Sequence, residues 1–194
     1  IFESNTPGST AKGGVAVLIS RRVTADYKPR AIHLHERLRG HACAVQLHQK
    51  SPGPGQPSLP PFTVVCLRLD AARNTTRSEQ VSALSCIPAT KYIIMCGDFN
   101  FTSRDCDTTG TPNNSPALLQ AWDAQVARLG LREAHQDLHT RFQINTDVAT
   151  STSSRLDRIY YASPVEEETL YNTKAEVAHV PFTVLGKYSG IELG

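Results

Sequence analysis

The chain has 194 residues, 40% of them hydrophobic and 20% charged, with a formal net charge of +2. That length supports one sizeable core and a single domain, and the composition is ordinary for a soluble globular protein. So small a net charge excludes a protein held to nucleic acid by bulk charge alone, while leaving room for a local basic patch.

No run approaches the roughly 18 apolar residues that would span a bilayer, so no membrane partner is expected. Cys43, Cys66, Cys86, Cys96 and Cys106 form no CxxC pair. Such an odd, scattered set suits a reducing compartment, nuclear or cytoplasmic, better than a disulfide framework. The oligomeric state is not legible.

Residues 1–12 are polar and read as irregular. Gly14-Val15-Ala16-Val17-Leu18-Ile19 has strand character. Residues 31–38 and 41–48 alternate apolar and polar, as half-exposed strands do. Between them and the preceding run, Arg21, Arg22, Lys28, Arg30, Arg37 and Arg39 make a basic N-terminal third. Lys50 to Pro61 holds five prolines and two glycines and reads as a loop. Residues 63–69 form another strand. A helix is expected from Thr75 or Thr76 to Ser85, with Glu79 placed for a capping box and Pro88 ending it.

Tyr92-Ile93-Ile94-Met95-Cys96 reads as a buried strand. Residues 101–114 read as a surface loop. A second helix over Ser115–Leu129 carries Leu118, Leu119, Trp122, Val126 and Leu129 at helical spacing, and Gly130 stops it. Residues 145–154 read as a loop, Leu156–Tyr161 as a strand, and Val177–Val184 and Gly190–Leu193 as the last strands. Hairpins followed by alternating strands and helices predict a mixed α/β layered fold. His135 and His139 stand at i, i+4, which would suit zinc on a helix, but no third ligand accompanies them.

The most informative residues are Gly97-Asp98-Phe99-Asn100. They follow the apolar run 92–96, so an Asp and an Asn leave the carboxyl end of a core strand, where open sheets place ligands and chemistry. An Asp there can accept a proton or bind a metal. An Asn two residues on can hold a phosphate oxygen or an attacking water. The pair suits hydrolysis of a phosphate ester. A purely structural turn is the plainer alternative for both residues. For Asp157 the plainer alternative is an ion pair with Arg155 or Arg158.

Three blocks in order, Gly13–Ile19, Gly97–Asn100 and Ser154-Arg155-Leu156-Asp157-Arg158-Ile159-Tyr160, resemble the endonuclease/exonuclease/phosphatase superfamily. Asn74-x-x-Arg77 at a helix start, and Gly130-Leu131 after the helix with Trp122, resemble its retrotransposon-type members. The resemblance implies a four-layer α/β sandwich of two mixed sheets with helices outside. It implies Mg²⁺-dependent phosphodiester hydrolysis, with Mn²⁺ as a substitute, on nucleic acid and on DNA foremost. Asp98 would activate water and hold the metal, Asn100 would position water and phosphate, and Asp157 would orient a later catalytic His. Asn100, Arg104 and Arg155 are the candidates for substrate contact.

Residues 1–194 then read as a single domain that is N-terminally incomplete, because the family's metal-binding Glu lies upstream of the Gly-Gly-Val strand. Lys187 and Tyr188 stand where the family has a metal-site Asp and the catalytic His. At Arg68-Leu69-Asp70 the family has an aromatic residue before a Pro. A Lys repels Mg²⁺, and a phenol with a pKa of about 10 replaces imidazole poorly. Two readings therefore stand side by side: an endonuclease-like hydrolase, and a catalytically dead domain kept as a nucleic-acid or protein-binding module.

Overall fold

The computed structural model describes residues 1–5, 14–52, 54–55, 57–112, 114–136, 138–143 and 151–164. Its frame is a six-stranded mixed sheet of β3 (Tyr27–Ala31), β4 (Ala42–Gln49), β5 (Phe62–Arg68), β6 (Tyr92–Asp98), β7 (Arg132–Glu133) and β10 (Asp157–Ala162). The spatial order is β3-β4-β5-β6-β10-β7. Only β5 and β6 run parallel, and α2 (Asn74–Ala83) lies in the connection between them, as a parallel pair requires. β1 (Phe2–Asn5) and β2 (Gly14–Val17) form a separate antiparallel ribbon. β8 (Arg141–Gln143) and β9 (Thr152–Ser154) form a second one.

The sheet buries one face against the helices and the other chiefly at β4. On one side Val65, Leu67, Ile93, Met95 and Tyr160 pack against Val81 and Leu84 at α2 and against Leu118, Trp122 and Leu129 of α3 (Pro116–Leu129). On the other, Cys43, Val45 and Leu47 of β4 pack against Val17 of β2. This α/β sandwich is the layered fold expected from the sequence. The alternation in residues 41–48 was expected to leave one face half exposed. Instead β4 sits between two partner strands and two packed layers, and small residues such as Ala42 and Ala44 fill its helical side.

Helix α3 starts and stops as its sequence dictates. The Ser115 side chain accepts the Leu118 N–H, Pro116 occupies the first turn, and Gly130 takes a left-handed φ of 63°.

Helix α2 differs from expectation. Neither threonine caps it, and Glu79 pairs with Arg37 instead of closing a capping box. The turn into it is made by Asp70, whose Oδ1 accepts the backbone N–H groups of Ala72 (2.9 Å) and Arg73 (2.7 Å). Burial works to raise the Asp70 pKa, but these donors and the nearby His41 and Arg77 prevail and hold it below the usual range. Asp70 therefore has a definite structural role in the turn between β5 and α2.

Other differences are local. Residues 31–38 are not one strand. β3 ends at Ala31, Ile32 still donates to the Ala44 carbonyl, and Glu36–Leu38 form a 3-10 turn. The polar start of the chain contains β1, and the Ser/Thr-rich stretch contains β9, because backbone pairing with β2 and β8 outweighs weak side-chain propensity. A six-residue helix, α1 (Arg21–Asp26), rises from Ser20, whose side chain caps it. The strands expected at 177–184 and 190–193 lie outside the described residues. Among the described residues no helix is long and apolar enough to cross a membrane.

Candidate active site

Each residue of Gly97-Asp98-Phe99-Asn100 has a distinct physical reason. Gly97 has φ 137°, and a Cβ there would collide with the Leu67 carbonyl oxygen of β5. Only glycine lets the parallel strands approach this closely at that backbone angle. Phe99 is fully buried and packs edge-on against Trp122 and Tyr160, with ring centroids 5.2 Å apart in both pairs. It nails the turn to the core.

Asn100 sits at φ 53°, in the left-handed region that Asn tolerates better than most residues. Its backbone N–H donates to Asp98 Oδ1 (3.0 Å), and its Nδ2 donates to the Leu69 carbonyl (2.9 Å). With the amide nitrogen committed on that side, Oδ1 is the acceptor left for a ligand.

The register then assembles the site. Arg68, Asp98 and Asp157 occupy matched positions on β5, β6 and β10. Asp98 and Asp157 are direct cross-strand partners, which places like charges side by side. Burial pushes the Asp98 carboxyl above its usual range, and the Asp157 charge pushes the same way. The Asn100 donors and Arg68 oppose both. A half-buried carboxylate facing a second carboxylate is a proton acceptor or a cation ligand in waiting.

At Asn100 and Leu156, which lie close in sequence to the two carboxylates, opens a cleft of about 300 Å³, walled in part also by Arg77, Asn114, Arg141 and Thr152. Arg77 is 3% exposed. Its Nη1 donates to the Asp70 carbonyl (2.7 Å), its Nη2 donates to Asn74, and its Nε has no partner among the described residues. Asn74-x-x-Arg77 is thus a built pair: the Asn orients the guanidinium at the cleft wall. Arg68 and Arg141 were not anticipated as site residues. Aligning the ends of β5 and β6 would have found Arg68, since it lies level with Asp98. Arg141 depends on a short ribbon that carries no sequence signal.

Arg104 and Arg155, expected to touch substrate, are placed elsewhere. They line a separate hollow with Cys106, Asp107, Glu133 and His139. Arg104 pairs with Glu133 at 2.8 Å. Arg155 is buried and donates to Asp107 Oδ1 through Nη2 (2.6 Å) and Nε (3.2 Å). A guanidinium so engaged is a structural strut, so substrate contact by Arg155 is not what this geometry offers.

Arg158 is also buried. It bonds Ser103, Tyr160 and the Phe101 carbonyl and lies over the rings of Phe99 and Phe101. Both neighbours of Asp157 in the Arg-Leu-Asp-Arg block are therefore engaged elsewhere, and the expected alternative of an ion pair with either is not what forms. His139 is not a zinc ligand either. Its two ring nitrogens lie 2.7 Å from Ser153 Oγ and 3.2 Å from the Cys106 carbonyl.

Asp107 is the hub of this strut. It is fully buried and also accepts the backbone N–H groups of Ser103 and Arg104, both at 3.0 Å. Burial alone would raise its pKa, but Arg155 and these donors overcome burial and hold it below 3.8. A depressed carboxyl stabilises the fold above its unfolded pKa, and that contribution is lost as pH falls through the lower folded value. Asp107→Ala should cost about 3 kcal/mol, because it leaves buried Arg155 with Glu133 (3.1 Å) as its remaining carboxylate and the Ser103 and Arg104 N–H groups without an acceptor. Urea denaturation at pH 7 should show that loss. The gap between variant and parent should narrow on acidification below about pH 4.

Among the described residues no group of three His, Cys, Asp or Glu side chains is arranged to hold a metal ion. Asp98, Asp157 and the Asn100 amide oxygen nonetheless form a set of hard oxygen donors. Oxygen donors of this kind are the ones Mg²⁺ takes. Lys187 and Tyr188 lie outside the described residues.

The pattern of the Endonuclease/Exonuclease/phosphatase family matches residues 2–173. Among solved structures, the endonuclease domain of TRAS1, a telomere-specific non-LTR retrotransposon, is 15% identical at TM-score 0.46, covering 70% of this chain and 56% of that one. The inositol polyphosphate 5-phosphatase domain of synaptojanin is 12% identical at TM-score 0.43, covering 74% and 49%. The human Nocturnin catalytic domain is 18% identical at TM-score 0.38, covering 71% and 49%. The chain thus spans about half the length of these structures. No curated protein matches it. With the family pattern running from residue 2 to residue 173, this chain belongs to the endonuclease/exonuclease/phosphatase family.

Proposed function

We propose that the chain is a Mg²⁺-dependent phosphodiester hydrolase of endonuclease type that acts on nucleic acid, DNA foremost, as a retroelement-type domain working in the nucleus or cytoplasm. The observation that carries this reading is the pairing of Asp98 with Asp157, close in sequence to Asn100 and Leu156, which wall a cleft with Arg77 and Arg141. Mg²⁺, or Mn²⁺ in its place, would supply charge stabilisation to the phosphoryl oxygens when held by Asp98. Asp98 takes the proton of the attacking water. Asn100 presents Oδ1 to that water. Arg141, exposed at the cleft, attracts the phosphate backbone, and buried Arg77 adds positive charge to the cleft wall. Asp157 keeps the Asp98 carboxylate basic. The five cysteines are all free, in keeping with a reducing compartment.

A second reading, a catalytically silent domain that binds nucleic acid or protein, rests on the sequence: by resemblance to the family, a metal-site Asp and a catalytic His are expected where this chain has Lys187 and Tyr188. An end-labelled duplex separates the two. Cleavage with Mg²⁺ that stops on chelation is the expected result. Tight, salt-sensitive binding with no cleavage at any Mg²⁺ or Mn²⁺ concentration would overturn the hydrolase reading in favour of the second.

The cleft arginines can be weighed in the same assay. Arg141→Ala should weaken duplex affinity several-fold and flatten its salt dependence, since one phosphate contact is worth about one unit of slope. An unchanged salt slope by fluorescence anisotropy would remove Arg141 from the interface.

A further inference from the structure

Three of the five cysteines stand in one row across the sheet. Cys43 on β4 is the register partner of Cys66 on β5, and Cys66 is the register partner of Cys96 on β6. Register partners on neighbouring strands point to the same side, and strands lie about 4.8 Å apart. That spacing falls within the range of Cα separations that a disulfide bridges. Cys43 is buried, whereas Cys66 and Cys96 are both partly exposed. The proposed hydrolysis uses none of the three.

We propose that Cys66 and Cys96 are a peroxide-sensitive dithiol that closes to an intrachain disulfide between β5 and β6. Neighbouring chemistry assigns the roles. The neighbouring Cys96 side chain, with help from the Ala16 backbone, brings the Cys66 thiol down to about 7 against the opposing effect of burial. Cys96, its register partner on β6, is the partly exposed thiol beside it. Burial also pushes Cys43 up, and its sulfur is engaged with the Val17 backbone. Cys66 is therefore the attacking thiolate, Cys96 the resolving thiol, and Cys43 a bystander.

The step balances with a hydroperoxide as oxidant. The Cys66 thiolate attacks one peroxide oxygen, the O–O bond breaks, and the departing alkoxide or hydroxide takes up a proton. Cys66 is left as a sulfenic acid. The Cys96 sulfur then attacks the Cys66 sulfur. The S–S bond forms, the S–OH bond breaks, and the Cys96 proton leaves with the hydroxyl as water. Two thiols lose two electrons and one peroxide gains them. A small thiol reverses the bond by exchange. The link lies two residues before Arg68 on one strand and two before Asp98 on the other, so oxidation staples the strand ends that present the candidate site.

The test uses the full chain with Cys86→Ser and Cys106→Ser, which removes the exposed thiols and leaves three. After hydrogen peroxide, thiol titration in denaturant should fall from three to one. Tryptic mapping without reductant should show peptides 51–68 and 92–104 linked, and dithiothreitol should separate them. In a further Cys96→Ser variant, dimedone should trap a sulfenic acid on Cys66. Three persistent thiols, a Cys43–Cys66 link, or a Cys96→Ser protein with no dimedone adduct would each overturn the proposal.

Discussion

Asp98→Asn should lower Mg²⁺-dependent phosphodiester cleavage by about 10³-fold, in kcat rather than in KM. The substitution keeps the shape of the side chain and keeps an oxygen to accept the Asn100 N–H. Two things are removed, a basic oxygen for the proton of water and a negative charge for the cation. The wild-type carboxyl is tuned for both. Burial and the facing Asp157 raise its proton affinity, and the Asn100 donors and Arg68 oppose them. Asp157→Asn should have a smaller effect, on the order of 10²-fold, because Asp157 acts on the reacting atoms through Asp98. Steady-state kinetics on a short duplex, with circular dichroism to confirm folding, measures both. A rate unchanged in Asp98→Asn would remove this residue from the chemistry.

Gly97→Ala should be the most damaging single methyl group in the described fold, costing roughly 3 kcal/mol or more. Two penalties coincide there. The backbone stands at φ 137°, where L side chains rarely go, and the new Cβ would meet the Leu67 carbonyl, with the carbonyl carbon only 2.9 Å away. Moving Leu67 means moving β5 off β6, the parallel pair that sets the level of Arg68 and Asp98. Gly130→Ala is the matched control. Its φ is also positive, at 63°, but nothing lies within 4 Å of the added Cβ. It should cost only about 1–2 kcal/mol. Urea titration of the two variants separates clash from backbone conformation. Equal losses would mean that the close approach of β5 is unimportant.

How legible this was in the sequence depended on whether a residue acts locally. Ser115, Pro116 and Gly130 act within one helix, and α3 was readable from them almost to the residue. The apolar runs before Cys66 and Asp98 were long and β-branched enough to mark β5 and β6. β1 and β9 were missed because polar strands form only when a partner strand is present, and their own side chains give no sign of the pairing. Residues 31–38 misled because alternation is also what a strand end followed by a 3-10 turn produces when Leu38 plugs the core.

In the candidate site, Asp98 and Asn100 stood out because a polar turn follows a buried strand. The roles of Arg155 and Arg158 did not, because both turn on tertiary partners. Asp107 is 48 residues from Arg155, and Phe101 is 57 from Arg158. An arginine beside a catalytic motif is as easily a strut as a phosphate ligand, and only burial and partners tell them apart.

The decisive measurement is nicking of supercoiled plasmid by the purified chain in Mg²⁺, in chelator, and with Asp98→Asn alongside. Relaxed circles in Mg²⁺ that are absent in the other two lanes are the predicted result. They would establish a metal-dependent phosphodiesterase centred on Asp98 despite Lys187 and Tyr188. No relaxation by a folded chain in Mg²⁺ or Mn²⁺, or equal relaxation by Asp98→Asn, would contradict it.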